Sequence, residues 1–305
     1  MASDKALFGK LFAEGSALYA AGENVVEGLS RAYPGKRAAA IEIAYSLQSG
    51  SYTAFAGDPA AIASRREGHA IVEPLLARHG IRTALDCGAG EGTRWFDFGH
   101  RLDHIYALDA SFHRMSICRR NLEGQPFAAA VTAIKGNMLA LPFVPQSVDA
   151  VFSCHAVEPN TDADAATIIE QMFTIARRLV VMLEPDYRAA GPEMRARMER
   201  HGYARNIWAE SEAQPGFDLL AEGTLENSVN PLNATSYRVF ARREPVADEP
   251  TDVLASPLDK SPLRSSGDVM LDAAACFGFP VIAGIVCLAR EDAIFLGCDP
   301  ASGQT

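Results

Sequence analysis

Residues 83–95 read TALDCGAGEGTRW, and this stretch decides the fold. A short apolar run carries one acid, Asp86, and is followed at every second position by Gly88, Gly90 and Gly92, with a helix-compatible segment beyond them. Glycine permits a tight turn and lets a ligand approach the backbone closely. A strand that ends in glycines and feeds a helix is therefore where an open α/β sheet places its ligand. The spacing is G-x-G-x-G with Thr93 next, so the dinucleotide pattern G-x-G-x-x-G is broken, and no G-K-[ST] follows to make a phosphate loop.

Working outward, short apolar runs alternate with helical stretches from Ile81 onward: IRTALDC, HIYALD, VTAIKG, SVDAVFS and RLVVMLEP. That alternation predicts a Rossmann-like, doubly wound parallel sheet of the α/β class. Between the last two runs, TDADAATIIEQMFTIARR opens with Thr161 three residues before Asp164 and carries an apolar stripe through Ile168, Met172, Ile175 and Leu179, the pattern of a capped helix. Residues 4–80 recur at helical spacing in AAAIEIAYSLQ and AIVEPLLARHG, interrupted by QSGSY and AGDP, which predicts an N-terminal helical cap over 1–74. The sheet domain is expected over 75–245, with 187–234 irregularly helical and TSYRVFARR at 235–243 as a final strand. REPVADEPTD reads as a linker, followed by a small β-rich tail over 251–300.

Composition limits the function. A chain of 305 residues with 48% hydrophobic and 22% charged content buries one large core. Its net charge of −10 is spread, and no basic tract interleaved with aromatics occurs, so nucleic acid is not the expected partner. A small molecule is. MASDKALFGKLFAEGS lacks a signal-peptide apolar core and no long apolar run follows, so neither secretion nor a membrane partner is expected and the cytoplasm is. Cys87, Cys118, Cys154, Cys276, Cys287 and Cys298 stand singly in apolar surroundings and read as reduced, buried thiols, with no metal site.

Two acids flank the glycines: Asp86 before them and Asp109 at the end of the next strand, where carboxylates can accept from ribose hydroxyls. With these, LDCGAGEG resembles the first motif of class I S-adenosylmethionine-dependent methyltransferases. YALDAS, KGNMLALPF, VDAVFSCHAVEP and RRLVVMLEPD look like the following motifs, in order. The resemblance covers roughly residues 75–245 and implies S-adenosylmethionine as cofactor, held by Asp86, Gly88, Gly90, Gly92, Asp109, Asn137, Met138 and Ser153. Asn137 stands where an acid is common. No N-P-P-Y tetrad follows the fourth strand, which disfavours a nucleobase or glutamine amide as acceptor.

Methyl transfer requires donor and acceptor held in line. For a hydroxyl or ammonium acceptor a proton must leave, and His155 at the mouth of the fourth strand is the candidate general base, with a purely structural hydrogen-bonding role as its alternative. A thioether acceptor needs no base, and carboxylates and aromatic faces would accommodate its cationic product. Glu158, Glu184, Asp186 and Tyr187 are the candidates for that environment, a solvated loop being the alternative. HGYARNIW reads as one helical stretch bearing His201, Tyr203, Arg205 and Trp208, with Arg205 placed to clamp a carboxylate. Tyr45, Gln48 and Tyr52 read as lid residues over the acceptor. The expected activity is methylation of a small metabolite, an amino acid first and S-methylation of methionine within that. The alternatives are O- or N-methylation of a sugar in polysaccharide assembly, or a non-catalytic sensor of S-adenosylmethionine. The tail resembles a Trm112-like module, with Pro257, Pro262 and Gly284 in place but Ser256 where that module has a zinc-ligating cysteine. This implies a metal-free module for packing, substrate capping or homodimer formation.

Overall fold

The structure, a computed structural model, describes residues 2–100, 102–123, 125, 130–244 and 250–297. Five helices open the chain: α1 (Ala2–Ala20), α2 (Val25–Ala32), α3 (Arg37–Leu47), α4 (Ser51–Phe55) and α5 (Pro59–Arg78). Their limits follow local chemistry. Asn24 caps α2 by accepting from the Glu27 amide, and Asp58 caps α5 by accepting from the Ala60 amide, with Pro59 at the first helical position. Helices α1 to α3 bury a small core of their own, formed by Leu11, Val25, Leu29, Ala40, Ile43 and Ala44.

The sheet follows: β1 (Thr83–Cys87), β2 (His104–Asp109), α6 (Phe112–Glu123), β3 (Ala130–Lys135), β4 (Val148–Cys154), α7 (Asp162–Ile175) and β5 (Ala176–Glu184), then α8 (Pro192–Arg200), α9 (Ile207–Glu212), β6 (Phe217–Thr224) and β7 (Ser236–Arg242). The tail adds β8 (Arg264–Ser266), β9 (Val269–Leu271), β10 (Phe277–Ile282), β11 (Ile285–Cys287) and β12 (Ile294–Phe295). Strands lie in the order β6-β7-β5-β4-β1-β2-β3-β11-β10-β9-β8, with β12 beside β10. β1 to β5 are parallel and β6 and β7 antiparallel.

The expected doubly wound α/β fold is present. Alternation along β1 sends Leu85 and Cys87 into a core shared with α7 and α9, and Ala84 into a second core shared with α5 and α6. Because β1 sits between β4 and β2, the chain reverses its direction of travel across the sheet there, which opens the ligand crevice at the C-terminal ends of those strands.

Several local expectations are corrected. α7 stops at Ile175, and Leu179 belongs to β5, since Ala176 is already extended and its amide closes the helix on Met172. HGYARNIW is two helix ends: Gly202, at φ 59°, breaks the chain between α8 and α9. The stretch 187–234 contains the strand β6 as well as helices. The tail joins the main sheet, with β11 lying parallel on β3 and pairing Ile285 with Ala133. α5 runs through the expected cap boundary at 74. Cys87, Cys118, Cys154 and Cys287 are free, whereas Cys276 is in a disulfide, against the expectation of six reduced thiols. Of the expected linker, residues 245–249 lie outside the described residues, as does Cys298. No described helix is long and apolar enough to cross a membrane.

Phe279 of β10 is 0% exposed and packs into the same core as α7. Phe279→Ala is therefore expected to cost about 3–5 kcal/mol in denaturant unfolding. A loss below about 1 kcal/mol would mean that the tail does not share the sheet's core.

Candidate active site

Gly88, Gly90 and Gly92 have φ of 71°, 58° and 71°, the left-handed region where any other residue is strained. Space also restricts them. A Cβ on Gly88 would fall 2.4 Å from the Ala156 Cβ, so the loop after β4 presses directly on the glycine loop. On Gly92 it would meet Cys118 and Leu122 of α6.

Asp109, 8% exposed at the end of β2, accepts from the Gly90 amide through Oδ2 at 3.0 Å and from the Ser111 amide through Oδ1 at 2.8 Å. Each oxygen keeps a lone pair toward a small cavity of about 80 Å³, which Asn137 and Met138 also line. Burial raises its pKa above the usual carboxylate range, opposed by Arg114. Asp86 stands behind the loop. Its Oδ2 accepts from Trp95 Nε1 at 2.7 Å, Arg94 Nε lies 3.8 Å from Oδ1, and that buried Oδ1 makes no hydrogen bond. The Asn137 carbonyl oxygen accepts from the Leu139 amide at 2.9 Å, which leaves its amide group for the cavity. Ser153 is fully buried and lines neither of these two cavities. A carboxylate with free lone pairs and a bare glycine backbone fit a nucleoside with an aminoacyl extension.

α3 borders both cavities and α4 the larger one, which holds about 940 Å³ and runs from the glycine loop past β4 to the end of α8. Tyr45, Gln48, Tyr52, His155, Glu158 and Tyr203 all line it. His155 Nδ1 lies 2.9 Å from Glu158 Oε2 and Nε2 lies 2.8 Å from Thr235 Oγ1; Asn233 donates to Glu158 at 3.2 Å. Burial alone would lower the His155 pKa, but the Glu158 carboxylate outweighs it and raises the pKa above the ordinary value.

Four residues expected at the acceptor do not line the larger cavity. Glu184 is 0% exposed and accepts from the amides of Ala156, Val157 and Glu158, so it shapes the turn that carries His155. Burial, with Glu158 beside it, pushes its pKa up to about 7. Asp186 accepts from the Arg188 and Ala189 amides. The Tyr187 hydroxyl donates to Glu199, and Arg205 stacks over the Tyr187 ring, outside the cavity.

Four other residues carry the site without a sequence signal. Thr235 and Asn233 come from the approach to β7. Glu91, inside the glycine stretch, accepts from the Gly50 and Thr53 amides at 2.8 and 2.7 Å and so caps α4, the lid helix. Arg114, from α6, borders both cavities.

Residues 84–178 match the family model described as a methyltransferase domain. The fold is similar to that of the N-methyltransferase NodS from Bradyrhizobium japonicum WM9 in complex with S-adenosyl-L-homocysteine, with a TM-score of 0.53, 10% identity, and 73% of this chain and 100% of that one covered. It is also similar to magnesium protoporphyrin IX methyltransferase from Synechocystis PCC 6803 with bound S-adenosyl-L-homocysteine, with a TM-score of 0.51, 12% identity, and 66% and 98% covered. At these identities the likeness is one of fold. No curated protein sequence matches the chain.

Asp109→Ala is expected to weaken S-adenosylhomocysteine binding in calorimetry roughly 10-fold or more, since unpaired buried groups cost about 1–3 kcal/mol, and to do so more than His155→Ala does. Equal affinities of the two variants would remove the ribose from Asp109. Glu42 of α3, which faces the small cavity, has its pKa pushed up to about 7 by burial, opposed by Lys135. Below about pH 4.5 its carboxyl is protonated in the folded and unfolded chains alike. As the pH rises toward 7 the unfolded chain ionises first, so stability falls. Glu42→Gln should flatten that decline and raise stability at pH 8 by at most about 3 kcal/mol, read from thermal unfolding at pH 5 and 8. Parallel curves for variant and wild type would contradict the burial of this carboxyl.

Proposed function

We propose that this chain, an S-adenosylmethionine-dependent methyltransferase, methylates a small carboxylate-bearing metabolite of the amino-acid type. One observation carries the reading: a single cavity is lined both by the His155–Glu158 pair and by the cationic side chains of Arg197 and Arg200. Arg197 stacks over the Tyr203 ring, and its Nη1 is buried without a hydrogen bond, which suits an incoming carboxylate.

S-adenosylmethionine supplies an electrophilic methyl group on a sulfonium. The residues of the chain do the rest. Gly88 and Gly90 give the donor backbone to lie on, and Asp109, Asn137 and Met138 receive its adenosine. Tyr45, Gln48 and Tyr52 roof the cavity and exclude water. Arg197 and Tyr203 orient the acceptor, so that its nucleophile reaches His155. His155 then exchanges Thr235 for the acceptor at Nε2 and takes the proton, and the Glu158 carboxylate stabilises the imidazolium. The pair favours an amine or hydroxyl, which must lose a proton, over the methionine thioether, which need not. The acceptor is a free small molecule met in the cytoplasm, with neither nucleic acid nor membrane as partner. The likeness of the tail to a Trm112-like module rests on its sequence residues alone.

Incubation with methyl-labelled S-adenosylmethionine and a pool of amino acids and nucleotide sugars is expected to label an amino acid. A labelled sugar would contradict the proposal, and donor binding without any product would favour a sensor. With the acceptor in hand, His155→Gln should lower kcat about 10²- to 10⁴-fold. An unchanged kcat would point to a sulfur acceptor.

A further inference from the structure

A guanidinium taken out of water costs free energy unless acceptors replace the water it loses. Arg114 is 5% exposed, yet its guanidinium finds no hydrogen-bond acceptor among the described residues, and its Nε is buried and unpartnered. Arg37 shows what a satisfied arginine looks like in this fold: it donates to Pro159, Glu27, His201 and Gly202. Neither nearby carboxylate hydrogen-bonds the guanidinium. Glu91 lies 3.9 Å from Nε but accepts from the lid amides, and both oxygens of Asp109 accept from the glycine-loop side and from Ser111. What surrounds the cation instead is aromatic, with the Tyr45 and Tyr52 rings at 5.1 and 4.6 Å.

Its position is specific. Arg114 borders both cavities, and its Nη2 lies 3.2 Å from where a Cβ on Gly90 would stand. The cation therefore rests on the glycine loop at the junction of the small cavity, which suits adenosine, and the large one. A donor with adenosine in the first has to pass its aminoacyl chain across that junction.

We propose that Arg114 is the receptor for the carboxylate of the donor's aminoacyl chain, the group that completes the hydrogen bonding of this buried guanidinium. The assignment rests on S-adenosylmethionine as the ligand of the crevice. It gives the lid a second task, because Tyr45 and Tyr52 hold the guanidinium plane and keep water from competing for it. It also makes the site select the intact donor over one that lacks the carboxylate.

The test is calorimetric binding of S-adenosylmethionine and of decarboxylated S-adenosylmethionine, which keeps adenosine, sulfonium and amine and lacks only the carboxylate. Wild type should prefer the intact donor. Arg114→Met should lower affinity for it roughly 10- to 100-fold while changing that for the decarboxylated compound by less than about twofold, with Arg114→Lys recovering part of the loss. Retained binding of the decarboxylated compound doubles as the control for folding. Equal losses for both ligands would make Arg114 a support of the lid and overturn the proposal, as would no loss for the intact donor. Wild-type protein that binds neither compound would remove the donor site itself.

Discussion

The hydrogen bond from the Gly90 amide to Asp109 ties the turn after β1 to the end of β2. The turn has three glycines at positive φ, which bring no side chains to hold it, so its shape depends on what its amides meet. Ala89 donates to the Leu108 carbonyl at 2.9 Å and Gly90 to the carboxylate one residue beyond it. The crevice is thereby formed before any ligand arrives, and the carboxylate that shapes it is the one left with lone pairs facing the small cavity. Preorganisation of this kind lowers the cost of ordering the site on binding.

The same loop fixes the lid. Glu91 is buried and spends its charge on the amides that open α4, so the glycine stretch and the N-terminal helices share one set of hydrogen bonds. Asn121 of α6 reinforces it by donating to the Thr53 hydroxyl and to the Glu91 carbonyl. On the other side, Glu184 holds three amides of the turn that presents His155 and Glu158. Buried carboxylates thus act here as templates for backbone, and the cavity walls are set by them. At the far edge of the sheet, β11 covers β3, and Asp292 in the tail pairs with Lys135 at its end.

The parallel strands were legible because burial on both faces leaves continuous apolar runs. β6 was not: it lies at the sheet edge with Leu219 and Leu220 exposed, so no alternation marks it. The end of α7 was hidden because apolar residues continue from helix into β5 without a glycine or proline between them. In the site, the glycines and Asp109 follow from local order, since neighbours in sequence make the turn. Glu91, Arg114 and Thr235 act on partners far along the chain, and single-sequence patterns carry no record of such pairs. The backbone partners of Glu184 and Asp186 are likewise not legible in sequence. An acid after a strand looks like a ligand until the backbone amides that claim it are visible.

The most direct measurement of the account is a crystal structure of the protein with S-adenosylhomocysteine. The account predicts the ribose hydroxyls on the Asp109 carboxylate, the adenine beside Asn137 and Met138, and the aminoacyl chain along Gly88 and Gly90 beneath α3 and α4. A crevice left vacant at saturating ligand, or a ribose held away from Asp109, would contradict it.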